Sequence, residues 1–228
     1  MLWHDTGVNK SWSSLVTSSD GLLLAAVTSG TNTIQISNDS GLSWAVAGDS
    51  PSTTWYEIKS SSSRNVMVAI KTTGNVFYVS KNNGINWSGK TVTGAVLINM
   101  ACISYDGTKI AITYSMSGGN TAGLISTNSG DSFSALSILS KVTAIGCNND
   151  FSMLYSSKYS GGDATYKSTD VGATWSASLG AYYFRYMSIS SAGSVLIGSA
   201  RDGHIYKTIN SGSTWTSIYN TSPYIYSR

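Results

Sequence analysis

The sequence is short of several things. In 228 residues it holds one glutamate, two histidines, two cysteines and two prolines. With Glu57 alone, a two-carboxylate glycosidase would have to draw on scattered aspartates. His4 and His204 lack neighbouring carboxylates at ligand spacing, so no metal site is expected. Cys102 and Cys147 cannot build a disulfide framework or a four-cysteine zinc site. One bridge between them is possible, and two buried strand thiols is the preferred reading. Charged residues make up 11%, the net charge is +3, and no Lys/Arg cluster occurs. Nucleic acid is therefore not an expected partner. No run approaches the ~18 consecutive apolar residues of a membrane helix, so no membrane insertion is expected. Met1-Leu2-Trp3-His4-Asp5 has neither a basic nor an apolar leader segment, and the compartment stays open. Gly-x-Ser-x-Gly does not occur, a phosphate loop is not expected, and no cofactor is expected.

What is present is a core. Hydrophobic residues make up 41%, with 7 Trp, 14 Tyr and 23 Gly. Low charge with many aromatics is the reverse of a disordered composition.

Five octets recur, at 37–44, 80–87, 126–133, 168–175 and 208–215, with the pattern Ser/Thr-x-Asp/Asn-x-Gly-x-x-aromatic. Their key residues are Asp39, Gly41 and Trp44; Asn82, Gly84 and Trp87; Asn128, Gly130 and Phe133; Asp170, Gly172 and Trp175; Asn210, Gly212 and Trp215. Successive glycines lie 43, 46, 42 and 40 residues apart. Each position has a job. The Asp or Asn side chain accepts hydrogen bonds from its own turn, and the hydroxyl does so more weakly. Gly supplies positive φ. The aromatic three residues later folds under the turn.

Between octets, a strand-like run leads to a polar turn and then to an apolar run. Examples are Val142–Cys147 before Asn149-Asp150, and Tyr56–Ser60 before Arg64-Asn65. A Gly-containing turn and a short strand then enter the octet. Helical periodicity is absent. Four short strands per period of about 43 residues predict an all-β fold. The expectation is a single five-bladed β-propeller of four-stranded antiparallel blades over 1–228, with six blades as the alternative.

The octets resemble the Asp-box (BNR-type) repeat of sialidases and related propellers, whose pattern is Ser-x-Asp-x-Gly-x-Thr-Trp. Asn82, Asn128 and Asn210 replace Asp, and Phe133 replaces Trp. The resemblance implies a scaffold element at the blade periphery, not an active site. Sialidases use an arginine triad, a Tyr–Glu nucleophile and an acidic proton donor. Here the arginines are Arg64, Arg185, Arg201 and Arg228. Arg64 is expected on the octet side, Arg228 is terminal, and Glu57 falls within an inner strand. The catalytic set is thus missing, and a sialidase-type hydrolase is the weakest reading.

The termini each carry a blade-to-blade junction: Met1–Ser14 at one end, Trp215 to Tyr224 at the other. We expect one terminus to complete the other's blade. A surplus strand could support an oligomer.

Blade-to-blade links and second-to-third-strand turns share one face of a propeller. That face would hold Trp55, Tyr56, Tyr182, Tyr183, Phe184, Arg185, Arg201, Asp202 and His204, with Asn32, Asn75, Asn120, Tyr159 and Asp163. Aromatics beside amides, carboxylates and arginine suit sugar recognition. The sequence therefore predicts a non-catalytic, lectin-like module with several similar glycan pockets on this face. A structural or protein-interaction module, for example of a viral or phage particle, is the alternative. The partner is accordingly a glycan or a protein.

Overall fold

The computed structural model describes residues 10–28, 30, 32–138, 141–158, 164–178 and 182–220. It contains five four-stranded antiparallel sheets. Blade 1 comprises β1 (Trp12–Thr17), β2 (Leu24–Thr28), β3 (Ile34–Ser37) and β4 (Ala45–Val46). Blade 2 comprises β5 (Trp55–Ser60), β6 (Met67–Lys71), β7 (Val76–Ser80) and β8 (Ser88–Thr91). Blade 3 comprises β9 (Ala95–Ile103), β10 (Ile110–Met116), β11 (Thr121–Ser126) and β12 (Ser134–Leu136). Blade 4 comprises β13 (Val142–Cys147), β14 (Leu154–Lys158), β15 (Ala164–Ser168) and β16 (Ser176–Ser178). Blade 5 comprises β17 (Phe184–Ile189), β18 (Leu196–Ala200), β19 (His204–Thr208) and β20 (Thr216–Asn220). The fold is a five-bladed β-propeller.

The core lies in the seams between blades. In β6, Met67 and Ala69 pack with Val27, Ile34 and Trp55 between blades 1 and 2. Val68 and Ile70 of the same strand pack with Ile98 and Ile110 between blades 2 and 3. Alternate residues thus serve opposite seams. Burial on both faces explains why the second strands read as continuous apolar runs rather than alternating ones. A third cluster, with Met100, Leu136, Ile145 and Leu154, joins blades 3 and 4. Between blades 4 and 5, Tyr155 donates its hydroxyl to the carbonyl oxygens of Gly193 (3.0 Å) and Ser211 (3.3 Å). Several exposed apolar side chains, including Trp12, Leu15 and Ile197, belong to blades 1 and 5.

Each octet forms the turn between the third and fourth strands of its blade. In blade 1, Ser37 Oγ donates to Asp39 Oδ1 at 2.7 Å and accepts the Gly41 N–H at 2.8 Å. Asp39 Oδ1 also accepts the Ser43 N–H at 2.9 Å. The same three bonds recur in the other four octets, with asparagine in place of aspartate at Asn82, Asn128 and Asn210. The octet glycines have φ of +81 to +90°. The residue before each, Ser40, Asn83, Ser129, Val171 or Ser211, is left-handed as well, at +56 to +59°. The sequence pattern gives no hint of this second left-handed residue, because no glycine marks it. The hydroxyl is also more than a weak helper, since it accepts the glycine amide in every copy.

One expectation needs correction. Every blade is built from four consecutive strands, so among the described residues neither terminus completes the other's blade. The fourth strand of blade 5 is supplied by its own β20, and blade 1 begins with its own β1. The surplus segments fall within 1–9 and 221–228, outside the described residues.

Candidate functional site: a bowl on the propeller axis

The first strand of every blade carries an irregularity near its start. Trp12 pairs with Thr28 and Ser14 with Val27, leaving Ser13 unopposed. Trp55 pairs with Lys71 and Glu57 with Ile70, leaving Tyr56. Met100 pairs with Thr113 and Ile98 with Tyr114, leaving Asn99. The same happens at Thr143 in β13 and at Arg185 in β17. These five positions, 13, 56, 99, 143 and 185, are spaced by 43, 43, 44 and 42 residues. An extra residue on one strand bends it and re-aims a side chain. Here that happens at a corresponding position in every blade, and β9 carries a second irregularity at Val96.

Four of the five, Tyr56, Asn99, Thr143 and Arg185, line a single cavity of about 830 Å³. The rest of its wall comes from blades 2 to 5. Tyr183 and Tyr186 stand on one side, Leu97, Ile98 and Met100 on another, with Lys71 and Lys141 among them. The Gly118-Gly119 turn between β10 and β11 borders it, which places the bowl on the face of the second-to-third-strand turns. Tyr56 and Tyr186 are 40% and 53% exposed, so their rings are available to a ligand. Their hydroxyls lie 3.1 Å apart. Burial, followed by the hydrogen bond to Tyr186, pushes the Tyr56 phenol well above its ordinary range. Lys71 and Arg185 form no ion pair with any described residue.

No carboxylate lines the bowl among the described residues. Glu57 is buried on β5, where one oxygen accepts the Ala101 N–H at 3.3 Å and the other pairs with Lys59 at 3.0 Å. Nor do the described arginines form a triad. Arg64 is 2% exposed in the β5–β6 turn and donates to Leu24 O (2.7 Å), Ser37 O (3.3 Å) and Asn38 Oδ1 (2.7 Å). Arg201 lies over the Tyr183 ring, 6.0 Å from its centroid.

The residues singled out from sequence divide clearly. Tyr56, Tyr183 and Arg185 meet in the bowl. Trp55 is a correction: it is fully buried between blades 1 and 2 and cannot touch a ligand. The irregularity after it sends Tyr56 toward the axis and leaves Trp55 in the seam. Tyr182 stacks on Tyr206, ring centroids 4.1 Å apart, beside Phe184 and Trp215. Asp202 accepts from the His204 N–H (3.0 Å) and from the Tyr206 hydroxyl (2.7 Å), tying together the β18–β19 turn. His204 Nδ1 stands 3.3 Å from Asp202 Oδ1. These three side chains do not line the bowl. Asn32 and Asn75 also serve turns: Asn32 accepts from the Thr54 hydroxyl, and Asn75 donates to Val92 O. Tyr159 and Asp163 lie outside the described residues. Sequence reading missed Asn99, Thr143 and Lys71, whereas Tyr186 lies in the run Tyr182–Tyr186 that it singled out. The period of 43 between residues that follow Trp12, Trp55, Ile98, Val142 and Phe184 is the signal that would have found the first two.

Solved structures share this fold. A GH74 xyloglucanase from Xanthomonas campestris superposes with a TM-score of 0.67 at 15% identity, covering 87% of this chain and 36% of that one. A GH74 enzyme of Niastella koreensis gives 0.69 at 18% identity, with 92% and 31% covered. A chain of a nidogen/laminin complex gives 0.71 at 11% identity, with 92% and 81% covered. The chain thus spans about a third of the length of those glycoside hydrolases. No family model matches the sequence, and no curated protein matches it. At such identities the likeness establishes the propeller class and nothing finer.

Proposed function

We propose that this propeller is a non-catalytic, lectin-like module that takes a saccharide into the axial bowl. The observation that carries the reading is the ring of irregular inner-strand positions. It sets an aromatic (Tyr56), an amide (Asn99), a hydroxyl (Thr143) and a guanidinium (Arg185) around one cavity. Exposed tyrosine faces offer apolar surface to the C–H side of a sugar ring, and the polar groups meet its hydroxyls. Glycoside hydrolysis of the usual kind needs two carboxyl groups flanking the scissile bond, and the described wall supplies none. The octets, which resemble Asp-boxes, act as turn staples away from this cavity.

The bowl sits on the axis rather than between neighbouring blades. The reading is therefore one central site per propeller, not several equivalent ones. A glycan array probed with the whole chain tests it. Binding to at least one glycan class is expected, with loss of signal in Tyr186→Ala, whose exposed side chain contributes little to the core. An array without hits, or turnover of a fluorogenic glycoside, would overturn it. The second reading, a protein-interaction module, draws on the exposed Trp12, Leu15 and Ile197 of blades 1 and 5. Partner capture that survives Tyr186→Ala but is lost in Leu15→Asp would favour it.

A further inference from the structure

We infer that the saccharide held in the bowl is anionic, with its acidic group met by Arg185 and Lys71; this rests on the glycan reading above. The argument is one of charge placement. Arg185 is the only charged member of the five irregular positions Ser13, Tyr56, Asn99, Thr143 and Arg185. Lys71, at the end of β6, is paired in register with Trp55, the residue before Tyr56. The two cations thus belong to the two blades whose tyrosines touch at 3.1 Å, Tyr56 of blade 2 and Tyr186 of blade 5. Lys141 is a third cation in the same wall.

The turns on the opposite face hold six of the described carboxylates. Asp20, Asp106 and Asp150 lie in turns between first and second strands, and Asp39, Asp131 and Asp170 lie in the octet turns. Hydrogen bonds and nearby lysines hold the carboxyls of all six below their ordinary range, so they are ionised at neutral pH. A cavity walled by cations and without a carboxylate among its described lining repels no acid and concentrates anions. Arginine adds a planar fork that fits a carboxylate or sulfate oxygen pair. Uncharged sugar would leave both cations without a counter-charge in a partly closed site.

An oligonucleotide offers the same charge but is less well matched. The described lining holds three Arg and Lys donors, fewer than the run of basic side chains that follows a phosphate backbone. The test uses isothermal titration of the whole chain with three probes: a hyaluronan hexasaccharide, neutral chitohexaose and an oligothymidylate of similar length. The expected result is that the uronate sugar binds about tenfold or more tighter than the neutral one. Its affinity falls several-fold in 0.5 M salt, as expected for an unburied charge contact, where the screening length drops to about 4 Å. Arg185→Gln and Lys71→Gln each remove most of that preference, the uronate sugar losing several-fold more affinity than the neutral one, while the melting temperature stays that of the unaltered chain. Equal affinity for the two sugars overturns the inference and leaves the glycan reading standing. Equal or tighter binding of oligothymidylate overturns it in favour of bare polyanion binding. Binding of neither sugar overturns both readings.

Discussion

The hydroxyls of Tyr56 and Tyr186 lie 3.1 Å apart although 130 residues separate them in the chain. One sits on the first strand of blade 2 and the other on the first strand of blade 5. Their contact ties together two blades that are not consecutive and forms one wall of the bowl. Neither ring is buried in a seam, so both remain open to whatever the bowl holds.

That contact gives a first prediction. Removing one hydroxyl from a part-exposed pair costs about 1 kcal/mol or less. Tyr186→Phe should therefore melt close to wild type. Glycan affinity should fall much less than in Tyr186→Ala, which removes the stacking face as well. Denaturation curves and titration of the same preparations check both statements.

Arg64 makes a stronger demand. Its guanidinium is almost fully buried, without a carboxylate partner, and burial lowers its pKa. It donates to two carbonyls and an amide oxygen of blade 1 from a turn in blade 2. Arg64→Met should cost about 3–5 kcal/mol, because three acceptors lose a charged donor at once. Arg64→Lys should recover little, since one ammonium cannot reproduce a planar fork. Urea unfolding of both variants reads the difference.

Gly48 and Gly21 separate steric cost from backbone cost. A Cβ added at Gly48 would stand 1.8 Å from the carbonyl oxygen of Ile85, a backbone atom across the seam between blades 1 and 2. Gly21 has φ of +75° but nothing within 4 Å of an added Cβ. Gly21→Ala should cost about 1–3 kcal/mol through strain alone. Gly48→Ala should cost more, because the seam itself must open. A Gly48→Ala variant as stable as Gly21→Ala would contradict the packing described.

Two of the octets should contribute to stability in acid. The Ser43 hydroxyl and amide hold the Asp39 carboxyl down at about 2, and Thr174 does the same for Asp170, also at about 2, both from 3.8. Lowered carboxyl values stabilise the fold above the unfolded value, and this contribution disappears as pH falls from about 4 through about 2. Asparagine makes the same turn bonds at Asn82, Asn128 and Asn210 without titrating. An Asp39→Asn/Asp170→Asn double variant should therefore keep its fold and lose less stability between pH 4 and pH 2. Chemical denaturation at the two pH values measures it.

At the alkaline end the sign reverses. Burial and the Asp202 carboxylate raise the Tyr206 phenol from 10.0 to about 12. A raised value means that stability is complete below pH 10 and is lost as pH rises through about 12. Tyr206→Phe should lack this part of the alkaline loss. Phenolate absorbance during titration should show a late-ionising group that the variant no longer has.

The octets were legible because each is a local device. Ser168, Asp170, Gly172 and Thr174 bond within one turn, so spacing along the chain is also spacing in space. The strands were legible for a related reason, since burial on both faces of β6 leaves a run from Met67 to Ile70 that no exposed strand would show. The bowl was legible only in part. Tyr56, Tyr183 and Arg185 stood out as unusual residue types near predicted links. Asn99 and Thr143 are ordinary residues inside strands, and only the register of β9 on β10 and of β13 on β14 gives them their direction. Trp55 was misplaced for the same reason, because one extra residue in β5 exchanges which of two neighbouring aromatics faces the axis.

The sequence alone therefore determined the repeating blade, because the forces that make it are turn hydrogen bonds and alternating burial within about 43 residues. The tertiary structure decided which side chains share the axis, that Tyr56 meets Tyr186, and that Lys71, Lys141 and Arg185 meet in one wall without a carboxylate among its described lining. Those relations join residues from different blades, and their geometry depends on how a strand irregularity turns a side chain in every blade, which no local pattern of residue types encodes.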